Sequence, residues 1–121
     1  KRDLFLGEYH MDNTIKEDMM TPIVIDLTQK NELDESWLRM FGENIKGILK
    51  AMFGDVAIPM QVRGSQSDVR SFVRALHGEK NFISTLKRYG LNNPRTYRSR
   101  ASLNQATSAF ERQTGIKWPF K

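Results

Sequence analysis

The chain has 121 residues, 39% of them hydrophobic, which is enough for one modest core in a single domain. The lack of cysteine excludes disulfides, thiolate metal sites and cysteine nucleophiles, and the longest aliphatic run, residues 23–25, is too short to span a membrane. The net charge of +5 is unevenly divided, because residues 1–60 carry 7 Lys and Arg against 11 Asp and Glu, whereas residues 61–121 carry 12 against 3.

The beginning of the chain differs in character from the rest. Residues 1–21 are polar and acidic, and their scattered apolar side chains follow no sustained period. This composition predicts an acidic N-terminal arm. The remainder, residues 22–121, is predicted to form a single α+β domain.

The first predicted element of that domain is a strand over residues 22–27. The segment is β-branched, and its leading Pro22 fits the first position of a strand, where a missing N–H is tolerated. A helix is predicted next, starting at Glu35 after an N-cap at Asp34 and ending near Gly54.

This helix has the clearest period in the chain. At 100° per residue its large apolar side chains share an arc of roughly 160°. The members of the arc are Trp37, Leu38, Phe41, Ile45, Ile48, Leu49, Met52 and Phe53. The opposite face mixes both signs of charge, which favours core packing over a membrane surface. Gly42 lies at the edge of the arc and predicts a close contact there.

A second strand and a second helical segment follow. Residues 56–63 are predicted to be the strand, and Ser65 and Asp68 have the spacing of a capping box for the helix after it. The apolar stripe shifts by about a quarter turn beyond Gly78, so the segment is either two helices or one bent helix. It is predicted to end at Gly90.

The C-terminal part is predicted to hold a basic connection and a last helix. Residues 91–100 contain Asn and Pro that favour a turn. Ser102 and Gln105 form a capping box for the helix, and Gly115 fits its left-handed C-terminal cap. Trp118, Pro119 and Phe120 are too apolar for a free tail, and we expect them to fold back as a clamp.

This order of elements predicts the fold class. The expected fold is α+β and mostly helical, with a small two-stranded sheet in a strand-helix-strand unit, followed by two or three C-terminal helices. The first three elements have the order of a right-handed parallel crossover. Because two strands alone are marginally stable, a helical layer or a second subunit must cover or extend the sheet.

The charge separation predicts a non-enzymatic interaction or assembly module with an acidic protein partner, a second copy of the chain included. Residues 80–110 contain no acidic side chain. The residues assigned to this basic face are Arg70, Arg74, Lys87, Arg88, Arg95, Tyr97, Arg98 and Arg100. In the self-associating version, acidic residues of the arm dock on the basic face of a neighbouring copy, namely Glu8, Asp12, Glu17 and Asp18.

Nucleic-acid binding is the alternative function. The basic surface of residues 80–112 would then bind phosphates through Arg95, Arg98 and Arg100, with Tyr97 stacking on a base. A third interpretation is a solvated basic face with partly buried tyrosines and no special role. Both alternatives remain open at the level of the sequence.

The sequence gives weaker indications of an anion site, a metal site or a catalytic site. Arg63, Gly64 and Ser65 lie between a strand and a helix N-terminus, which makes them a candidate anion site, although a plain turn with a cap explains them as well. His10 and His77 have no second ligand at metal-binding spacing, so no metal or cofactor is predicted. Neither convergent carboxylates nor a nucleophile elbow is present, and an enzyme is not expected.

Several short segments of the second half carry a resemblance to a known group. They are Val62-Arg63-Gly64-Ser65, Ser71-Phe72, Glu79-Lys80, Tyr89-Gly90-Leu91, Asn93-Pro94, Phe110-Glu111 and Thr114-Gly115-Ile116-Lys117-Trp118-Pro119-Phe120-Lys121. With a looser likeness over residues 22–53, the chain resembles small proteins of T4-like marine tailed phages, of the cyanophage type. The resemblance implies a phage-encoded accessory or virion protein. It implies no catalytic or binding residues.

The expected location is cytoplasmic. Residues 1–10 contain no hydrophobic signal segment, and the lack of cysteine fits a reducing compartment. For a phage-encoded protein, this would be the host cytoplasm or the virion.

Overall fold

A computed structural model describes residues 4–10, 22–28 and 35–120 of the chain. In chain order its elements are β1 (Leu4–His10), β2 (Ile23–Asp26), α1 (Glu35–Phe53), β3 (Pro59–Ser65), α2 (Gln66–Tyr89) and α3 (Pro94–Thr114). The predicted α+β, mostly helical fold is confirmed, with its strand-helix-strand unit followed by two helices. The cap predicted at Asp34 lies outside the described residues.

The described strands form one sheet with the order β1-β3-β2. β2 is parallel to β3, with Ile23 opposite Met60, as expected for a crossover through α1. β1 is antiparallel to β3, with Leu4 opposite Ser65. The central strand β3 is therefore paired on both sides.

Strand β1 corrects the expectation of an arm at residues 4–10 and of a sheet with two strands. Its sequence, Leu-Phe-Leu-Gly-Glu-Tyr-His, has three consecutive apolar residues followed by a central glycine. The alternation that marks a half-buried strand is therefore absent, and only the pairing with distant β3 reveals it. Residues 11–21, the rest of the predicted arm, lie outside the described residues.

The core lies between the sheet and the three helices. Met60 and Val62 of β3 are buried, whereas Arg63 of the same strand is exposed. Four aromatic rings form the centre, and they come from all three helices and the C-terminal segment: Phe41, Phe72, Phe110 and Trp118. Their ring centroids lie between 5.4 and 6.4 Å apart, and the pairs include tilted, edge-to-face and stacked arrangements.

Helices α2 and α3 form an antiparallel hairpin. α2 is one continuous helix of 24 residues, so the predicted division near Gly78 into two helices is wrong. A Cβ placed on Gly78 would lie 3.4 Å from Leu103 Cδ1, which shows how closely α3 packs there. This close approach explains the glycine in the interior of a helix.

Helix α3 begins eight residues before the cap that the sequence predicted. Asn93 is the N-cap, and its Oδ1 accepts a hydrogen bond from the backbone N–H of Arg95, while Pro94 occupies the first turn. Residues 94–100 are thus helical and not a connection. The buried residues in this part of α3 are Thr96 and Ser99. Both are polar, so a search for an apolar pattern does not detect them.

The predicted C-terminal clamp is confirmed for residues 116–120. Gly115 ends α3 in the left-handed conformation, with φ of 78°. Ile116 and Trp118 are buried, and Trp118 also donates its backbone N–H to Glu111. Pro119 lies against Gly42 of α1, which accounts for the close contact expected there.

None of the helices in the described part of the chain is both long enough and apolar enough to cross a membrane.

Candidate interaction surface

The outer face of the α2–α3 hairpin carries most of the predicted basic residues. On α2, Arg70, Arg74 and Arg88 fall within about 40° of one another at helical spacing, and all three are exposed. Phe72 and Leu76 of the same helix point into the core. The three arginines therefore form an exposed stripe opposite the core.

Helix α3 adds arginines at both ends of this face. Arg98 and Arg95 lie at the hairpin tip, beside the end of α2. At the other end, Gln113 Nε2 donates to Asp68 Oδ1 at 2.8 Å and fixes the last turn of α3 beside the first turn of α2. This geometry brings exposed Arg112 to the same end as Arg70.

Two arginine clusters result, one at each end of the hairpin face. The base cluster consists of Arg70, Arg74 and Arg112, and the tip cluster consists of Arg88, Arg95 and Arg98. Arg112 was missing from the predicted face, because only the antiparallel pairing of two distant helix ends places it there.

Two arginines of the tip cluster, Arg88 and Arg95, lie against an aromatic ring. The guanidinium of Arg95 lies 4.8 Å from the centroid of Tyr89, and that of Arg88 lies 5.7 Å from it. These are cation–π distances, and they leave the guanidinium N–H groups for other partners. Among the side chains that the structure describes, no carboxylate pairs with either cluster; an exposed ion pair there joins Lys46 and Glu43.

Three residues of the predicted face lie elsewhere. Lys87 points toward α1, where its Nζ lies 4.9 Å from the centroid of Phe53. Arg100 is on the other flank of α3 and lines a cavity of about 200 Å³ with Trp118. Tyr97 is 56% exposed on that flank, and its hydroxyl donates to Asn92 Oδ1 at 3.4 Å.

The candidate anion site at residues 63–65 has the geometry of a helix cap. Ser65 Oγ accepts from the backbone N–H of Asp68, as the capping alternative predicted. A Cβ on Gly64 would lie 3.2 Å from Asp68 Cβ and from Leu27 Cβ, so this glycine permits a close approach. The carboxylate of Asp68 stands beside this helix start, where it complements the helix dipole itself. Arg63 remains exposed on β3.

A groove between α1 and α2 was not predicted. It has a volume of about 330 Å³ and is lined by Lys46, Leu49, Phe53, Glu79, Ile83, Lys87 and Phe120. Its walls are apolar, and its lysines stand at the rim.

Glu79 lies at the bottom of the groove and is only 5% exposed. Its Oε1 accepts a hydrogen bond of 2.9 Å from the indole N–H of Trp118. Burial raises the pKa of Glu79, and the Trp118 hydrogen bond opposes this rise in part. The sequence offered one weak signal, an acidic residue on the apolar face of α2.

The described ranges 4–10, 22–28 and 35–120 contain no group of three or more His, Cys, Asp or Glu residues that could hold a metal ion. Comparison with protein-family models, with curated proteins and with solved structures found no match. The function is therefore inferred from the chemistry of the surfaces described above.

Proposed function

We propose that the protein is a non-enzymatic interaction or assembly module whose hairpin face binds an acidic partner protein. The observation that supports this is the pair of exposed arginine clusters without carboxylate partners among the described side chains. Arginine forks bind carboxylates through two parallel hydrogen bonds, so such clusters favour acidic ligands.

The spacing of the clusters indicates the shape of this partner. Arg74 and Arg88 are separated by fourteen residues of one helix, which is about 21 Å at a rise of 1.5 Å per residue. The surface between them carries polar groups, among them Asn81 and Ser84. An acidic helix or extended segment with two groups of carboxylates about 20 Å apart would engage both clusters at once.

Charge reversal of each cluster tests the proposal. The probe is fluorescently labelled poly-glutamate, titrated with the protein while anisotropy is followed at several salt concentrations. Arg70→Glu with Arg74→Glu, and separately Arg88→Glu with Arg98→Glu, should each weaken binding by about tenfold or more. The matched control is Arg39→Glu with Lys50→Glu, which reverses two exposed charges on α1. Equal losses in the control would mean that net charge, and not this face, binds the probe.

Nucleic-acid binding is the second candidate. It is favoured by the exposure of Tyr97 and by the stretch of residues 80–110 without an acidic side chain. Labelled single- and double-stranded DNA and RNA would be titrated at several salt concentrations. Reversing Arg95 and Arg98 should flatten the dependence of log affinity on log salt, and an unchanged slope contradicts phosphate contacts by these residues.

The resemblance to marine phage proteins supports a more specific setting. In this proposal the protein is a phage-encoded accessory or virion protein that acts in the host cytoplasm or in the particle. Mass spectrometry of purified particles and of infected-cell extract measures its distribution. Presence in particles supports a virion component, whereas presence in the extract alone supports an accessory role.

A further inference from the structure

The cavity of about 200 Å³ beside Trp118 lies between α2, α3 and the clamp. Its charged and amide side chains are Glu79 of α2 and Arg100 and Asn104 of α3. Three aromatic residues share the lining, namely Phe82, Trp118 and Phe120. Aromatic walls with a few convergent polar groups are typical of sites for small planar molecules.

The polar groups of this cavity are incompletely satisfied. Glu79 is 5% exposed, and its Oε1 accepts from the indole N–H of Trp118, whereas its Oε2 accepts no hydrogen bond from the described residues. Because an acceptor buried without a donor is costly, a ligand that donates to this carboxyl would be stabilised.

The cavity has opposite charges at its two ends. Arg100 and Asn104 are exposed, and their spacing of four residues places them on the same side of α3. Within the described part of the chain, neither side chain has a hydrogen-bond or ion-pair partner, and no ion pair joins Arg100 to Glu79. The complementary ligand is therefore planar, with N–H donors at one edge and an anionic group at the other.

Guanine fits the buried carboxyl better than the other common bases do. Its N1–H and 2-amino groups are neighbouring donors, and an ionised carboxylate offers acceptors on both oxygens. Adenine and cytosine place a ring-nitrogen acceptor beside their amino group, and uracil has a carbonyl on each side of N3–H. Those acceptors would face the carboxylate of Glu79 and be repelled.

We propose that this cavity binds a free guanine nucleotide. Glu79 accepts hydrogen bonds from N1–H and the 2-amino group, and the amide of Asn104 donates to O6. The guanidinium of Arg100 binds the phosphate, while the base contacts the aromatic side chains. Donation by the base favours the ionised carboxylate, and so opposes the burial that raises the pKa of Glu79.

The site contains none of the arginines of the base and tip clusters. A nucleotide can therefore bind here whether or not those clusters bind an acidic partner, and loss of one activity leaves the other measurable.

Isothermal titration calorimetry of the native chain with five small probes tests the ligand class. The probes are GMP, IMP, AMP, guanosine and inorganic phosphate. GMP should bind best. IMP lacks the 2-amino donor and should bind about tenfold more weakly, and AMP should bind more weakly still. Guanosine should also be weaker than GMP, because it has no phosphate for Arg100.

Two variants separate the ends of the site. Glu79→Gln keeps an acceptor for Trp118 but sets an amide N–H against the donors of the base, so GMP affinity should fall by about tenfold or more. Arg100→Gln should lower the affinity for GMP to about that for guanosine and leave guanosine binding unchanged. The matched controls are Glu43→Gln and Arg39→Gln, which remove the same charges at exposed positions of α1 and should bind GMP as the native chain does. Circular dichroism checks that each variant is folded.

The inference is overturned if the native chain fails to bind GMP at concentrations up to about 1 mM, or if AMP binds as tightly as GMP. Unchanged GMP affinity in Glu79→Gln, or displacement of GMP by an equal concentration of inorganic phosphate, would also contradict it, because each would reduce the site to an anion contact. A single-stranded trinucleotide with a central guanine serves as the last probe. Binding of this strand more than about tenfold tighter than GMP would assign the cavity to RNA and overturn the assignment to a free nucleotide.

Discussion

Glu79 is a carboxyl group in an apolar part of the molecule, with the indole N–H of Trp118 as its hydrogen-bond donor. Lys46, Lys87 and Arg100 line the two cavities that reach it. Desolvation penalises the ionised form, which is why the pKa is raised in spite of the indole. In the folded protein this carboxyl therefore binds its proton more tightly than in the unfolded chain.

The pH dependence of stability follows from this raised pKa. The contribution of Glu79 to the free energy of unfolding is fully present below its unfolded pKa, near 4.5. This contribution is lost as the pH rises through the higher pKa of the folded state. Glu79→Gln keeps an acceptor for Trp118 but cannot ionise. We expect it to be more stable than the native chain at pH 7, with the difference disappearing by about pH 4.

Urea unfolding at several pH values measures this difference, with Glu43→Gln as the exposed control. A difference between native and Glu79→Gln chains that does not change with pH would contradict the raised pKa. The control should show little change at any pH, since Glu43 makes only an exposed pair with Lys46.

Gly64 is a second residue with a specific physical role. Its φ of 156° and the two neighbours 3.2 Å from a hypothetical Cβ leave no room for a side chain. Gly64→Ala should lower the free energy of unfolding by about 1–3 kcal/mol. Gly47→Ala is the control, because Gly47 is exposed inside α1 and its added Cβ would meet only Ile23 Cδ1 at 3.9 Å; it should stabilise by about 1 kcal/mol. Thermal and urea unfolding give both values, and similar effects of the two substitutions would refute the close approach at β3.

At the scale of the residue, charge could be read from the sequence better than position could. The basic nature of the hairpin was predicted, yet Lys87 and Arg100 turned out to flank different cavities. The helical spacing of α2 separates Lys87 from Arg88 by about 100°, but it does not show which neighbouring element each side chain contacts. Those contacts depend on where α1 and the clamp pack. The neighbours of these side chains are set by tertiary packing, which the helical spacing alone does not give.

At the scale of the element, the hairpin shows why the start of α3 was predicted too late. Its interface with α2 is rich in hydroxyl groups, and Thr85 Oγ1 lies 2.6 Å from Ser99 Oγ. Thr96 is buried and donates to the carbonyl of Gly90 at 2.7 Å. Since these side chains are satisfied by hydrogen bonds, they can be buried without an apolar pattern. α1, whose interface is apolar, was predicted almost to the residue.

The clamp provides a prediction at the same scale. Trp118 packs edge to face against Phe110 and is 3% exposed. Trp118→Ala should cost about 3–5 kcal/mol, and removal of residues 116–121 should lower the melting temperature by several degrees or more. Phe120→Ala serves as the comparison, because Phe120 is only partly buried and should cost less. A melting curve unchanged by the truncation would refute the clamp.

At the scale of the whole molecule, the charge separation becomes a self-repulsion that is confined to the hairpin. The base and tip clusters hold like charges about one helical turn apart, without carboxylate partners among the described side chains. We expect the melting temperature to rise by a few degrees between about 10 and 150 mM NaCl, because the Debye length falls to about 8 Å. Calorimetry measures it, and Arg70→Glu with Arg74→Glu should reduce the salt effect. A melting temperature that falls with salt would mean that attraction dominates.

The pairing of β1 with β3 has a consequence for the order of folding. The contacts of the α2–α3 hairpin join neighbouring parts of the chain, whereas Leu4 must find Ser65 across the length of β2 and α1. Contacts between distant segments carry a larger loop-closure entropy and form more slowly. The hairpin should therefore assemble first, and β1 should be the last strand to add and the first to detach. Local unfolding of β1 then leaves β3 as an edge strand, and the return of β1 makes β3 the central strand again.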